Sequence, residues 1–277
     1  DYRLKRPQLT ASVFDAFVSK VTQRQMARCL PCTRATVRRR LLMLSRHARE
    51  FQDAVLERAR IQGTLYGRFQ LDELETFERD RRLRPVTMPV LIHEESRFVL
   101  HVETAALPAR GRLKKRDLER KLRNEAKEGV RRSGSRAAVK RCFEVLSRSV
   151  AAEKPVVVVT DERSIYRTTL IEAMGRPFTH DLHAGGAPKT VSNSLWPINH
   201  LFAMLRDGAS RLVRRNWGMS KEREWLTRHA WIWIAYRNYI RCFTNKHKKL
   251  TSALRAGLVS RAIPKTKFFE WRVLRGL

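Results

Sequence analysis

The stretch "KPVVVVTDERSIYR", from Lys154 to Arg167, decides the fold prediction. Four consecutive valines without polar alternation are typical of a strand that is buried on both faces of a sheet. This strand ends at Thr160 and Asp161. Because burying an unpaired carboxylate is unfavourable, the pattern predicts a specific partner for Asp161.

Strand and helix patterns alternate around this stretch. In chain order they predict strands at 67–78, 86–94 and 97–105, a helix at 136–153, the valine strand, a helix at 164–174, a short strand within 178–186, and helices at 194–215 and 221–241. One mixed five-stranded sheet with helices on both faces fits this order, which places the chain in the α/β class.

The N-terminal part of the chain predicts a small all-α module. Thr22 and Thr33 are suitable N-caps for two short helices that are separated by a tight turn. This arrangement is typical of a helix-turn-helix. The sequence therefore predicts a helix-turn-helix domain at 1–60, followed by an α/β domain at 61–277 with a basic insertion near 106–135 and a basic C-terminal tail.

The second helix of this module is unusually rich in arginine. A helix that only packs against its neighbours does not need so many cations on one short segment, so the composition favours contact with DNA. The alternative is a basic helical hairpin that only packs. The residues predicted to contact DNA are Arg34, Thr36, Arg38, Arg39 and Arg40.

The net charge of the chain points to a polyanionic partner. The 277 residues include 58 Lys and Arg against 27 Asp and Glu, which leaves +31. Such a surplus repels itself unless a polyanion shares it, and nucleic acid is the expected polyanion. A membrane surface is the alternative.

Two other classes of protein are not indicated. No apolar run reaches the roughly 18 residues of a membrane-spanning helix, and no signal peptide is visible. The four cysteines are too few and scattered for a disulfide framework, so a cytoplasmic, nucleoid-associated protein is expected. Cys29 and Cys32 have the spacing of zinc ligands but lack a second pair.

Two aspartates occupy chemically useful positions, Asp72 on the first predicted strand and Asp161 at the end of the valine strand. If these strands are neighbours, as is usual for this order of elements, the two carboxylates meet near the centre of the sheet. Carboxylates that lie close together favour a cation, and Mg²⁺ prefers hard oxygen ligands. Two such ions about 4 Å apart can activate a nucleophile and stabilise the leaving oxygen of a phosphodiester.

Each aspartate also has an alternative interpretation. Glu73 and Glu75 share the first strand with Asp72, and either can be the ligand instead. Asp72 is favoured because it lies on the face opposite Leu71. Asp161 can instead cap the helix that begins near Ser164.

The segments "LDELETF", "VVTDERSIY" and "INHLFAMLRDG", together with the order of elements, resemble the catalytic domain of insertion-sequence transposases with a ribonuclease-H-like core. The resemblance covers roughly residues 20–245 and includes the helix-turn-helix ahead of the core. It implies a ribonuclease-H-like fold, and a catalytic Asp, Asp, Glu triad in which Asp72 and Asp161 match the first two positions.

The third position of the triad departs from the family pattern. No Asp or Glu occurs between Ala187 and Arg206, and the matching position holds Asn199, which lies 38 residues after Asp161. The resemblance also matches Arg206 to the basic residue that follows on the same helix face. A branch of these transposases carries Asn in this position, and the chain resembles that branch. An Asn side chain can ligate Mg²⁺ through its amide oxygen but brings no charge.

The resemblance implies a Mg²⁺- or Mn²⁺-dependent transposase of a bacterial insertion sequence. Such an enzyme binds double-stranded DNA at the element ends and at the target, nicks it, transfers a strand, and acts as a homo-oligomer on DNA without a membrane partner. Two alternatives remain open. One is a basic DNA-binding protein without catalysis, such as a decayed transposase, and the other is a structure-specific nuclease on the same fold.

Overall fold

A mixed β-sheet forms the centre of this computed structural model, which describes residues 5–186, 188, 190–213 and 218–271. The strands within those residues are β1 Gly67–Phe77, β2 Pro85–His93, β3 Phe98–Val102, β4 Ala105–Ala106, β5 Val156–Asp161 and β6 Thr179–His183. The strand order is β3-β2-β1-β5-β6, with β4 paired to β2. The prediction of five strands is wrong by one, because the two-residue β4 is too short to produce an alternating pattern.

The directions of the strands divide the sheet into two parts. β2 runs antiparallel to its neighbours β1 and β3, whereas β1, β5 and β6 are parallel. Parallel neighbours need a crossover connection, and helices supply it here. The sheet is therefore mixed, and its centre is the parallel pairing of β1 with β5.

Helices surround the sheet. The α-helices in the described residues are α1 Leu9–Val18, α2 Gln23–Cys29, α3 Arg34–Gln62, α4 Lys115–Glu128, α5 Ser135–Ser149, α6 Ser164–Met174, α7 Trp196–Gly208, α8 Arg223–Ala235, α9 Ser252–Arg255 and α10 Lys265–Glu270. A 3-10 turn at Ser210–Leu212 follows α7, and a π-helix at Tyr236–Ile240 continues α8. None of the helices is long and apolar enough to cross a bilayer within the part of the chain that the structure describes.

Two side chains on β1 show that helices lie on both faces of the sheet. Gln70 accepts the N–H of Ile198 in α7 at 3.1 Å, whereas Glu73 accepts the hydroxyl of Ser135 in α5 at 2.6 Å. Residues 70 and 73 point to opposite faces because side chains alternate along a strand. Thus α5 covers one face of β1 and α7 covers the other.

The N-terminal helices begin where the sequence predicts. Thr22 caps α2 in a capping box with Gln25, and the Thr33 hydroxyl accepts the N–H of Thr36 at 3.2 Å. Unlike the short second helix that was expected, α3 continues over 29 residues to Gln62. It ends at Gly63, whose φ of 61° is the left-handed conformation that favours glycine.

These helices share one hydrophobic core with the rest of the chain. Phe14 of α1 lies 5.9 Å from Phe268 and 6.4 Å from Tyr236, measured between ring centroids. The Nε2 of His229 donates to the Phe17 carbonyl at 2.8 Å. The domain boundary near residue 60 stays a prediction, and the N-terminal helices pack directly on C-terminal elements.

The basic insertion contains a helix, α4, without a buried residue. Ion pairs attach it to the turn between β1 and β2: Arg84 with Glu128 at 2.8 Å, and Arg120 with Asp80 at 2.8 Å. Two other predicted features are only partly described. The predicted helix at 194–215 ends early at Gly208, and its residues 214 and 215 lie outside the described residues, as do residues 272–277 of the basic tail.

His229 is a buried histidine that makes the stability of the fold depend on pH. Burial, with a smaller contribution from Arg211, lowers the pKa of His229 to about 4 from its ordinary 6.5. The unfolded chain therefore binds a proton near pH 6.5 that the folded chain does not bind until about pH 4. The free energy of unfolding that comes from neutral His229 is therefore fully present above pH 6.5, and it is lost as the pH falls towards 4.

We predict that His229 accounts for about 3 kcal/mol of the loss of unfolding free energy across that window. Urea unfolding of the wild type and of His229→Gln at pH 7 and pH 4.5 measures it, because glutamine does not titrate. The control is His247→Gln, which alters an exposed histidine and should keep the wild-type loss. An equal loss in His229→Gln would contradict the assignment.

Candidate active site and nucleic-acid interface

The parallel pairing of β1 with β5 brings the two predicted aspartates to the same level of the sheet. The pairing aligns Gln70 with Val159. Counting two residues along each strand places Asp72 level with Asp161, and the even step keeps both side chains on the face of Gln70. Neighbouring strands lie about 4.8 Å apart. The register, continued two residues past the last observed pair, therefore predicts that the two carboxylates lie on one face.

Glu73, the first alternative to Asp72, is held in a structural role on the other face. Its side chain is 2% exposed and forms an ion pair with Arg163. It also accepts hydroxyl hydrogen bonds, from Ser135 at 2.6 Å, Thr87 at 2.7 Å and Tyr166 at 3.2 Å. A carboxylate with all its lone pairs engaged has little capacity left for a metal.

Glu75, the second alternative, lies on the same face as Glu73. It is half-exposed and forms an ion pair with Arg110 at 2.6 Å. Of the three acidic residues considered on β1, Asp72 alone shares a face with Gln70 and, through the register, with Asp161. The geometry thus favours Asp72 over both alternatives.

Asp161 lies where β5 gives way to the loop before α6. One of its oxygens, Oδ1, accepts the N–H of Arg163 at 3.1 Å, but Arg163 is itself the N-cap residue and α6 has no side-chain cap hydrogen bond, so Asp161 does not cap α6. No ion pair with a Lys or Arg side chain involves Asp161 in the described ranges. The loop after β6 passes close by, since a Cβ at Gly185 would lie 3.8 Å from Asp161 Oδ2.

Helix α7 lies over the same face as the aspartates. The Gln70 side chain donates to the Ser194 carbonyl at 2.6 Å and accepts the Ile198 N–H at 3.1 Å, so it holds the first turn of α7. Asn199 follows in that turn, and its Nδ2 donates to the Leu195 carbonyl at 2.9 Å. This hydrogen bond turns the amide nitrogen back to the helix, which leaves Oδ1 as the atom available to a ligand.

Arg206 lies at the other end of α7. It is half-buried and lines an open cavity of about 570 Å³ with Thr76 and Phe77, the last residues of β1. Helix α7 therefore extends along β1 from Gln70 to Thr76, and Asp72 lies between these points. Arg82 and Arg110 line the same cavity, so its wall is basic.

The residues on this face suit a hard divalent cation. Asp72 and Asp161 supply carboxylate oxygens and Asn199 an amide oxygen, which are the ligands that Mg²⁺ and Mn²⁺ prefer. In the described part of the chain, no group of three or more His, Cys, Asp and Glu side chains is arranged to hold a metal. Any metal here must therefore complete its coordination with Asn199, water or phosphate oxygens.

The ring of Tyr166 reports the negative charge around the aspartates. Its pKa is raised above the ordinary value, first by burial and then by Glu73, Asp72 and Asp161. Three carboxylates therefore act on one phenol, although Arg163 neutralises Glu73. This part of the sheet therefore concentrates negative charge, although the net charge of the chain is +31.

The basic helix predicted to contact DNA presents only part of its set to solvent. Arg34, Arg38 and Arg39 are exposed, and Thr36 is half-buried with its hydroxyl 3.2 Å from that of Thr33. The Arg38 guanidinium lies over the Trp225 ring at 4.7 Å, which orients it. These positions leave the exposed side of the helix basic.

Arg40 departs from the prediction that it contacts DNA. It is only 4% exposed, and its guanidinium donates to the Arg6 carbonyl at 2.7 Å. Val37 and Leu41 lie beside it on the buried side of α3. Arg40 therefore links the N-terminal segment to α3 and is not available to DNA.

Gln70 connects β1 to α7 and was not among the predicted site residues. The signal in the sequence is a polar residue two positions before Asp72, on the same face of the strand. Gln70 is fully buried, and its amide is hydrogen-bonded to Ser194, just before α7, and to Ile198 within α7.

Comparisons with known proteins give limited similarity. No protein-family model and no curated protein matches the chain. By structure, the chain is similar to the catalytic domain of Mos1 mariner transposase, with 16% identity, a TM-score of 0.25, and coverage of 70% of this chain and 90% of that chain. It is also similar to the Mos1 transposase paired-end complex with left transposon end, with 14% identity, a TM-score of 0.28, and coverage of 84% and 74%. TM-scores this low do not establish a relationship.

We predict that Arg38 and Arg39 contribute to DNA binding. Replacing both by Ala should weaken binding to duplex DNA and reduce the slope of log affinity against log salt by about 2, since each phosphate contact contributes about 0.9. Titration of labelled duplex at several salt concentrations measures both quantities. The control replaces Arg46 and Arg49, which are exposed on the same helix. Equal affinity and slope in the wild type and the Arg38/Arg39 variant would exclude this face of α3 from the interface.

Proposed function

We propose that this chain is a DNA transposase of the insertion-sequence type with a ribonuclease-H-like core. It binds double-stranded DNA at the ends of its element, nicks it with the help of Mg²⁺ or Mn²⁺, and transfers the freed strand to target DNA. Residues 61–277 form its catalytic domain, and the N-terminal helices at 1–60 recognise the element ends.

One observation carries this proposal: the register of β1 against β5. Continued two residues past the last observed pair, it would bring Asp72 and Asp161 together on one face of adjacent parallel strands, beside α7, which carries Asn199 in its first turn and Arg206 near its end. The order β3-β2-β1-β5-β6, with an antiparallel half and a parallel half, agrees with the fold that the sequence resemblance implies. Asp72, Asp161 and Asn199 are therefore the proposed catalytic and metal-holding residues.

The chain's own groups hold and orient the reactants. On this proposal, Asp72 and Asp161 bring their carboxylate oxygens together, and Asn199 Oδ1 faces them from the first turn of α7. When bound there, Mg²⁺ or Mn²⁺ supplies a Lewis acid for attack on a phosphodiester. Arg206, in the last turn of α7, would bind the phosphate next to the reacting one.

The reaction needs two displacements at phosphorus. Water attacks the first phosphodiester, the bond from phosphorus to the 3′ oxygen breaks, and the products are a 3′-hydroxyl and a 5′-phosphate. The 3′-hydroxyl oxygen then attacks a phosphodiester of the target, whose own 3′ oxygen leaves. The side chains of Asp72 and Asp161 serve both steps, since both need the same alignment of attacking and leaving oxygens.

Charge supports double-stranded DNA as the partner. A net charge of +31 is spread over a chain with exposed arginines on α3 and a basic wall beside Arg206. Counterion release from phosphates makes such a surface bind DNA strongly at low salt. Acting on two element ends requires more than one copy, so we propose a homo-oligomer on DNA.

Asn199 favours a second candidate function, a DNA-binding protein without catalysis. An amide in the third position leaves the site one negative charge short of the family's triad, which lowers affinity for divalent cations. Both candidates bind DNA with strong salt dependence. Only the first cleaves DNA, so a cleavage assay separates them.

We predict Mg²⁺-dependent nicking of DNA that carries the element's ends. Asp72→Ala and Asp161→Ala should each reduce nicking at least 1000-fold, on the order of the loss expected when a metal ligand that positions the reaction is removed. The controls are Glu75→Gln and Glu162→Gln, which alter exposed acids next to the proposed ligands. Wild-type protein that binds these ends yet nicks none of them in Mg²⁺ or Mn²⁺ would favour the non-catalytic candidate.

The same assay tests Asn199 when it is run across a titration of Mg²⁺. If Asn199 is a ligand, Asn199→Ala needs more metal or loses activity, and Asn199→Glu retains activity at equal or lower metal. Identical titrations for all three proteins would limit Asn199 to a role at the start of the helix.

A further inference from the structure

A buried arginine without a hydrogen-bond partner lies close to the candidate site. Arg237, in the π-helix Tyr236–Ile240, is fully buried, and its Nε, Nη1 and Nη2 atoms find no partner in the part of the chain that the structure describes. Buried charges in proteins are normally paired. Arg237 therefore lacks an anion among the residues that the structure describes.

Three guanidinium groups, including that of Arg237, surround one aromatic ring. The Cζ atoms of Arg255, Arg97 and Arg237 lie 4.4, 5.2 and 5.5 Å from the centroid of Phe243. Arg241 is close enough to act electrostatically on Arg237. We refer to Arg97, Arg237, Arg241 and Arg255 as the arginine cluster.

The fold does not neutralise the arginine cluster. Elsewhere it does provide a carboxylate for inward-facing arginines, as Glu78 does for Arg131 at 2.8 Å and Arg223 at 3.7 Å. Among the described residues, no member of the cluster forms an ion pair with Asp or Glu. Residues 225–269 contain no Asp or Glu at all, so the local surplus belongs to the sequence itself.

Titration behaviour agrees with an unbalanced positive charge. Burial, and then Arg241 and Arg97, lower the pKa of Arg237 to about 10. Burial and then Arg97, Arg237 and Arg241 lower the pKa of His200. Besides burial, the neighbouring cations therefore lower the pKa of both groups.

A polar network fixes the π-helix in this position. Asn238 accepts the Val99 N–H at 3.0 Å and donates to the Val99 carbonyl at 2.9 Å, and it also donates to Gln52 at 3.2 Å. Tyr239 donates to Gln52 at 2.6 Å. Because these two residues are buried and hydrogen-bonded, Arg237, which directly precedes them, cannot easily turn to solvent.

The arginine cluster adjoins the first turn of α7. The Arg97 guanidinium lies over the Trp196 ring at 4.6 Å and donates to His200 Nδ1 at 3.3 Å. Trp196 and His200 stack on each other at 4.9 Å. Trp196 lies three residues before Asn199, and His200 directly follows it. The arginine cluster is therefore adjacent to the candidate active site.

We propose that the arginine cluster is a binding site for backbone phosphates of the DNA strand that extends from the Asp72–Asp161 pair; this placement relative to the pair rests on the proposed function. Arg97, Arg241 and Arg255 reach the surface and contact the phosphates. Arg237, beneath them, adds an uncompensated charge that raises the local potential without touching the ligand.

The chemistry around the arginine cluster favours a chain of phosphates over a single small anion. The loop that follows it carries the exposed lysines Lys246, Lys248 and Lys249, which extend the positive surface beyond the cluster. Guanidinium groups pair well with phosphate oxygens through parallel N–H donors. A long polyanion neutralises this whole surface at once, whereas a lone phosphate neutralises only part of it.

The test measures DNA binding in EDTA, where no strand is cut. Replacing Arg241 and Arg255 by Gln should weaken binding to duplex DNA on the order of tenfold and reduce the salt slope by about 2. The control replaces Arg132 and Arg148, two exposed arginines on other elements. Affinity and slope that match this control would overturn the proposal. Because cleavage is not measured, a protein that never nicks DNA can still pass this test, so its outcome is independent of the proposed function.

Arg237→Met supplies a second measurement. If Arg237 is there for the ligand, removing an unpaired buried charge should raise the Tm of the free protein while DNA affinity falls. A lower Tm with unchanged DNA affinity would make Arg237 a structural residue and overturn its place in the site. A third arm uses pyrophosphate: if it raises the Tm of the wild type while the Arg241/Arg255 variant keeps the full DNA salt slope, the arginine cluster binds small anions and the DNA assignment is wrong.

Discussion

The parallel pairing of β1 with β5 is the constraint on which the candidate site depends. Its register fixes Gln70 beside Val159, and from that alignment Asp72 and Asp161 follow as neighbours on one face. A shift of one residue in either strand would turn one carboxylate to the opposite face. Gln70 also fixes the position of α7 over β1, because it is hydrogen-bonded to both Ser194 and Ile198. The sheet centre thus places both carboxylates and the helix that carries Asn199.

Charge gives the second constraint. A chain of net charge +31 forms no ion pair at Asp161 and leaves the buried guanidinium of Arg237 without a hydrogen-bond partner among the described residues. A divalent cation at Asp161 and DNA phosphates near Arg237 would supply the opposite charge at each place. On the proposed function, metal and DNA therefore neutralise charges that the described residues leave unbalanced.

Local patterns predicted most of the fold. The helix predicted at 164–174 is observed as α6 with the same limits, and the caps Thr22 and Thr33 are both confirmed. These features depend on residues a few positions apart, so the sequence contains the signal. Arg40 could not be predicted, because its burial depends on a carbonyl 34 residues away. The π-helix at Tyr236–Ile240 depends on Asn238 bonding to Val99 across the chain, and sequence periodicity does not contain that contact.

The most direct test of the account is a crystal of the protein grown or soaked with Mn²⁺ and measured at the manganese absorption edge. We expect an anomalous peak between Asp72 and Asp161. The carboxylate oxygens of the two residues should lie within about 6 Å of each other, which is close enough to share a metal. Side chains on opposite faces of the sheet, or Mn²⁺ bound elsewhere with no peak at this pair, would contradict it.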